Sequence, residues 1–194
     1  MPKAKLGILI ANKSIDQEVI NMKRFYRTLV VLGLVLLTGN AFAADQPGLY
    51  GHPAATADRD LSIADMLTYA IQDEYLARAE YTAIMAKFGT ARPFSNIREA
   101  ESTHIVWLND AFAAYSLAVP ADRGADHVVL PATLKQAFET GVQAEIDNIA
   151  MYDRFLASPL IRDTQHANLR SVFENLKRGS ENHLRAFRNQ LARY

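Results

Sequence analysis

Six polar side chains interrupt apolar helical stripes in this chain: Glu74, Glu101, His104, Glu145, Ser180 and His183. A carboxylate turned toward a protein interior is costly unless it is paired or coordinated. Acids and imidazoles at matching depths on separate helices suggest one shared site, and the chemistry they share is metal binding. Glu101 and His104 are three residues apart, so at about 100° per residue they project from nearly the same helix face. The carboxylate-bridged two-metal arrangement takes one Glu from each of two helices and Glu-x-x-His from each of two others. Glu74, Glu101, His104, Glu145 and His183 supply five of those six groups, and Ser180 stands where the sixth carboxylate would be. Glu181 and Glu174 lie on the wrong faces to replace it. Asn148 follows Glu145 by three and can lend an amide oxygen. The expected centre is therefore lopsided. One ion takes Glu74, Glu101 and His104, and a weaker second takes Glu145, His183, shared Glu101 and water.

Four helices must position these groups. The first stripe runs Leu67, Ala70, Ile71, Glu74, Ala77, Arg78, Tyr81, Ile84, Met85, Phe88 and ends at Gly89, with Asp60 or Ser62 as cap. The second runs Ile97, Ala100, Glu101, His104, Leu108, Ala111, Tyr115, with Ser95 as cap. The third runs Leu134, Phe138, Gly141, Glu145, Asn148, Ile149, Tyr152, Leu156, with Pro131 in its first turn. The fourth runs Leu169, Val172, Phe173, Leu176, Ser180, His183, Phe187, Leu191. Links one and three are short, and the central connection, through Pro120 and Gly124 to Pro131, can travel the length of a helix. These features predict an all-α, ferritin-like four-helix bundle with one crossover connection.

Upstream, Met22 opens a basic stretch, Thr28 to Leu37 is apolar, and Ala41-Phe42-Ala43 precedes Ala44. Basic, apolar, then small residues mark a cleaved secretory signal at 22–43, with cleavage after Ala43 and a periplasmic or secreted product. The alternative is an uncleaved anchor. Residues 1–21 read as a non-native extension ahead of the true start. Residues 44–60, with Pro47, Gly48, Gly51 and Pro53, read as an extended lead-in, leaving 61–194 for the bundle. Of 21 basic and 21 acidic residues, six basic and two acidic lie in 1–43, so 15 and 19 remain, a net charge of −4. No basic stripe points to nucleic acid. The apolar run is short for a bilayer, so no stable membrane span is expected after cleavage. The absence of cysteine excludes thiolate sites and disulfides, leaving carboxylate, imidazole and water as metal ligands.

Each residue also has a plainer role. Arg78 lies one turn after Glu74 and could neutralise it as a buried ion pair. A lone core histidine is more often satisfied by neighbours than used as a ligand. Tyr81, Trp107, Tyr115 and Tyr152 fit core packing, with hydrogen bonding to a metal-bound group or electron relay as the functional alternative. His52, His127 and His166 fit surface positions.

Three segments resemble the ferritin-like domain family of unknown function found in bacteria and archaea. They are Asp73-Glu74-Tyr75-Leu76-Ala77-Arg78, then Phe94-Ser95-Asn96-Ile97 leading into Glu101-Ser102-Thr103-His104, and Gly179-Ser180-Glu181-Asn182-His183-Leu184-Arg185-Ala186-Phe187. The resemblance covers about residues 61 to 191 and implies a bundle related to rubrerythrins. It implies that Glu74, Glu101, His104, Glu145 and His183 are metal ligands and that Ser180 is usual at its position. Asp73 and Asn148 depart from the family's common Glu and Asp.

The expected function is an exported protein with a di-iron carboxylate centre that oxidises ferrous iron or reduces oxygen or peroxide. The cofactor is two iron ions, or one plus a weak second, with manganese or zinc as alternatives. Arg78, Tyr81, Asn148 and Ser180 are the supporting residues, and a homodimer is an open option. The alternatives are a non-catalytic metal-sequestering bundle and a metal-free bundle that binds a partner.

Overall fold

The computed structural model describes residues 48–90 and 92–194. The expected extension at 1–21 and the signal segment at 22–43 lie outside the described residues. Among the described residues the fold is helical throughout, with α1 (His52–Ala57), α2 (Ile63–Phe88), α3 (Phe94–Ala114), α4 (Leu134–Ala157), α5 (Pro159–Arg162) and α6 (Ala167–Leu191). Two 3-10 turns, Gly124–His127 and Thr164–His166, sit in the connections.

The four long helices form two hairpins, α2 with α3 and α4 with α6, and the hairpins pack through α3 on α6 and α2 on α4. Cross-helix contacts set the directions. Tyr81 meets Glu145 while Tyr152 meets Glu74, so α2 and α4 run antiparallel. Phe94, at the start of α3, meets Phe187, near the end of α6, so those helices are also antiparallel. Neighbours thus all oppose one another, and the chain between α3 and α4 must return along the bundle, as its length allowed.

Local chemistry explains most boundaries. Ser62 caps α2 in a reciprocal box with Asp65, and Gly89 closes it by donating to the Met85 carbonyl. At α4, Thr133 and Gln136 form the box, so Thr133 rather than the expected Pro131 opens the helix. Helix α3 begins at Phe94 with Pro93 before it and no side-chain cap, so Ser95 lies inside the first turn instead of capping it. Burial of the Phe94 ring outweighs the missing cap; it stacks on Phe138 at 5.0 Å.

The lead-in is not extended throughout. Residues 52–57 form α1, whose peptide groups are held by side chains distant in sequence. Asp73 Oδ1 accepts from the His52 N–H at 2.9 Å, Gln72 Oε1 from the Gly51 N–H at 3.1 Å, and Arg154 donates to the Ala55 and Asp58 carbonyls. Gly51 has φ 64°, and a Cβ there would lie 2.5 Å from Asp73 Oδ1, so only glycine fits. Tyr50 stacks on His127 at 4.1 Å, and the Tyr115 hydroxyl pairs with His166 Nδ1 at 2.6 Å. His52, His127 and His166 are half-buried.

Two apolar clusters fill the bundle. One holds Met66, Leu67, Leu108, Phe112, Phe155, Phe173 and Leu176 among others; the second holds Tyr81, Ile84, Phe94, Ile97, Ala137, Phe138 and Phe187. Each fully buried aliphatic or aromatic side chain contributes about 1.5–3 kcal/mol. Between the clusters lies a layer of buried polar groups.

Candidate metal centre

The helix register puts one acid from each of α2, α3 and α4 into that layer, with imidazoles from α3 and α6. Glu74, Glu101, Glu145, His104 and His183 are between 1% and 7% exposed. His104 Nδ1 lies 3.0 Å from Glu74 Oε2 and 2.8 Å from Glu101 Oε2. His183 Nδ1 lies 3.2 Å from Glu101 Oε1 and 3.5 Å from Glu145 Oε1. Glu101 thus divides its two oxygens between the two imidazoles, which stack with ring centres 5.6 Å apart. Donor atoms of Glu101, His104 and His183 all fall within 4.8 Å of one another.

The outer groups hold the acids in place. The Tyr152 hydroxyl donates to Glu74 Oε1 at 2.7 Å, and the Tyr81 hydroxyl to Glu145 Oε1 at 3.0 Å. Ser180 Oγ donates to Asn148 Oδ1 at 3.1 Å, while Asn148 Nδ2 donates to Asp73 Oδ2 at 2.7 Å. Asn148 therefore spends both ends of its amide on Ser180 and Asp73, and not on Glu74, Glu101 or Glu145. Ser180 and Asn148 thus form a neutral pair within the buried layer.

Burial dominates the electrostatics. It pushes the Glu74 carboxyl up to about 8, against the pull of His104, with Glu101 adding to the rise. It pushes Glu145 up to about 7, offset in part by His183. For Glu101 burial is outweighed by the two imidazoles that face its oxygens, and its carboxyl falls to about 2. Burial opposes charge on the imidazoles too, yet Glu74 and Glu101 raise His104 to about 10, and Glu101 and Glu145 do the same to His183. Protons thus hold together a layer whose three acids, fully ionised beside neutral imidazoles, would otherwise carry a net charge of −3.

The donor set suits a borderline or hard divalent ion, since it consists of carboxylates and imidazoles. One atom is poorly served without one. His183 Nδ1 is buried and close to two carboxylates, but makes no hydrogen bond of acceptable angle. A cation accepting its lone pair would satisfy both it and the acids that face it.

Two expected residues lie elsewhere. Arg78 does not neutralise Glu74; its guanidinium pairs with Asp122 in the crossover, with the two side chains 35% and 39% exposed. The i, i+4 spacing allowed the pair with Glu74, but Glu74 turns inward while Arg78 follows the helix rim. Trp107 is 39% exposed and does not fill the core, although its ring lies 5.5 Å from that of His104. The sequence marks Asp73 only as a departure from the family's Glu and gives Gly179 no role; Asp73 anchors Asn148 and α1, and the backbone of Gly179 lies against His104. An inward Asn beside Glu145 was the available signal for the first; a glycine in mid-helix was the signal for the second.

The chain resembles "Uncharacterized protein MJ0754" of Methanocaldococcus jannaschii, with 29% identity over 133 residues, covering 63% of this chain and 71% of the relative. The crystal structure of hypothetical protein MJ0754 from Methanococcus jannaschii superposes with a TM-score of 0.59 at 24% identity, covering 71% of this chain and 85% of that one, and so supports the fold. Residues 63–193, which carry all four long helices and every group of the buried layer, match the model of an uncharacterized protein domain, and the chain belongs to that family, DUF2202.

Proposed function

We propose that this protein is a ferritin-like bundle that binds two metal ions, iron by preference, in its buried carboxylate–imidazole layer, and that it oxidises ferrous iron or reduces oxygen or peroxide. The observation that carries this reading is Glu101, whose two oxygens each face a different histidine while Glu74 and Glu145 flank the outer sides. That is the disposition of a bridging carboxylate. The antiparallel hairpins and their crossover agree with the ferritin-like design. Glu74, Glu101 and His104 would hold one ion; Glu145, His183 and the second oxygen of Glu101 would hold the other. Bound iron would supply one-electron redox chemistry. The chain's own part is to keep the layer dry, to aim the acids through Tyr152 and Tyr81, and to give up the protons that otherwise hold the layer together. The neutral Ser180–Asn148 pair leaves one ion with fewer charged ligands. Manganese or zinc fits the same donors. Export with cleavage after Ala43 belongs to this proposal, and the N-terminal mass of the cell-made protein tests it.

Anaerobic loading with ferrous iron, elemental analysis, and optical spectra after air or peroxide test the activity. Two irons per chain and consumption of oxidant are expected from the wild type and neither from Glu101→Ala. Tight binding without turnover would favour sequestration instead. The metal-free alternative draws on the pairing of His104 with both Glu74 and Glu101, which satisfies that imidazole without an ion. It requires a thermal midpoint indifferent to chelator, whereas a bound ion stabilises by mass action.

A further inference from the structure

Glycine inside a helix costs about 0.5–1 kcal/mol relative to alanine, so one in mid-helix calls for a local reason. Gly179 lies in the interior of α6, one turn before His183 and on the same face. A Cβ on Gly179 would lie 2.6 Å from both Cε1 and Nε2 of His104, which reaches across from α3. The missing side chain is thus a slot, and the imidazole of His104 occupies it, stacked above His183. The slot holds the Cε1–Nε2 edge of the ring, so the opposite nitrogen, Nδ1, is the one that faces Glu74 and Glu101. The nearest atoms are the far end of a side chain, so a methyl group here would displace the ring and leave the helix intact. Gly141 in α4 makes a contrast: there the Cβ would meet the Phe187 ring at 2.9 Å, within the apolar cluster.

We infer that Gly179 is a positioning residue for the metal centre: by leaving its slot open it fixes the His104 ring with Nδ1, rather than Nε2, as the ligand nitrogen. The inference rests on the metal-centre reading above, and concerns how one ligand is aimed.

The test is Gly179→Ala in the full chain, with cobalt(II) as the probe ion and ligand-field absorption as the readout. Cobalt affinity falls by about tenfold or more, the usual effect of losing a group that orients a ligand. The metal-free variant keeps its helical signal but melts lower, because the displaced ring loses its buried contacts with Glu74 and Glu101. In a His104→Ala background the same substitution causes no further loss, because both changes act through one ring. Wild-type cobalt affinity in Gly179→Ala, or an equal loss in the His104→Ala background, overturns the inference. So does loss of the helical signal, which would mean that backbone and not imidazole gives way. A second measurement needs no metal. In chelated, nitrogen-15-labelled protein, Gly179→Ala shifts the ring signals of His104 and leaves those of His166 in place; unmoved His104 signals overturn the inference. A wild type that binds no ion would sink the metal-centre reading, while this second arm would still decide whether Gly179 aims the ring.

Discussion

The two halves of the buried layer are built alike and satisfied differently. Around His104, Nδ1 lies 2.8 and 3.0 Å from two carboxylates, and Tyr152 steadies Glu74. Around His183 the corresponding distances are 3.2 and 3.5 Å, the nitrogen makes no proper hydrogen bond, and the neighbouring position is the neutral Ser180–Asn148 pair. Tyr81 plays toward Glu145 the part that Tyr152 plays toward Glu74. Protons hold both halves, but the contacts of His183 Nδ1 are longer and none has hydrogen-bond geometry. A buried network with one unsatisfied member costs more than a complete one, so the His183 half gains more from an ion. The same half has fewer charged ligands with which to keep it.

The largest expected effect comes from removing what the halves share. Glu101→Ala leaves two buried imidazoles without their common acid and should destabilise the metal-free protein by about 3 kcal/mol in urea unfolding, besides abolishing metal uptake. A loss no larger than that of a surface acid would show that the halves are not joined through Glu101.

Removing one imidazole at a time separates the halves. His104→Ala should cost the tighter ion and His183→Ala the weaker, each lowering zinc or iron stoichiometry from two to one, as elemental analysis reads it. Equal affinities of the two remaining ions would erase the asymmetry. Ser180→Glu sharpens it from the other side. The second ion should bind about tenfold more tightly, while the metal-free protein becomes less stable because a carboxyl has been buried.

The pH dependence has a sign that depends on metal. His104 and His183 are raised from 6.5 to about 10, so the stability they give is fully present below pH 6.5 and lost as pH rises toward 10. Glu74 and Glu145 are raised from 4.5 to about 8 and about 7, so the fold loses stability as pH rises through that window. Glu101, lowered from 4.5 to about 2, adds stability present above pH 4.5 and lost as pH falls toward 2. Chelated protein should therefore melt highest near pH 4.5 and progressively lower toward pH 9. Metal-loaded protein should gain on it as pH rises, because ligands must shed protons to bind. Parallel pH profiles with and without ion would end the comparison.

The smallest effect lies outside the layer. Burial, with Asp73 adding, raises the Glu80 carboxyl from 4.5 to about 7. Glu80→Gln should stabilise the protein by about 1 kcal/mol at pH 8, with the gain vanishing near pH 4.5, in urea titrations at the two pH values.

The periodicity of three and four determined much of this protein. Glu74, Glu101, His104, Glu145, Ser180 and His183 share stripes with Leu67, Leu108, Phe138 and Phe173, and a stripe that apolar can only face inward, whatever polar residues it carries. Helix ends written in local chemistry, such as Ser62 with Asp65 or Gly89, were legible for the same reason. What periodicity cannot encode is the pairing between helices. Arg78 meets Asp122 because the crossover passes beside it, and α1 forms because Asp73 and Arg154 hold its peptide groups. Glu101 touches both histidines only because α3 and α6 run antiparallel at one depth. The slot at Gly179 likewise exists only once α3 lies across it. Burial pattern is a property of one helix and is written along it. Partnership belongs to two helices, and only their packing decides it.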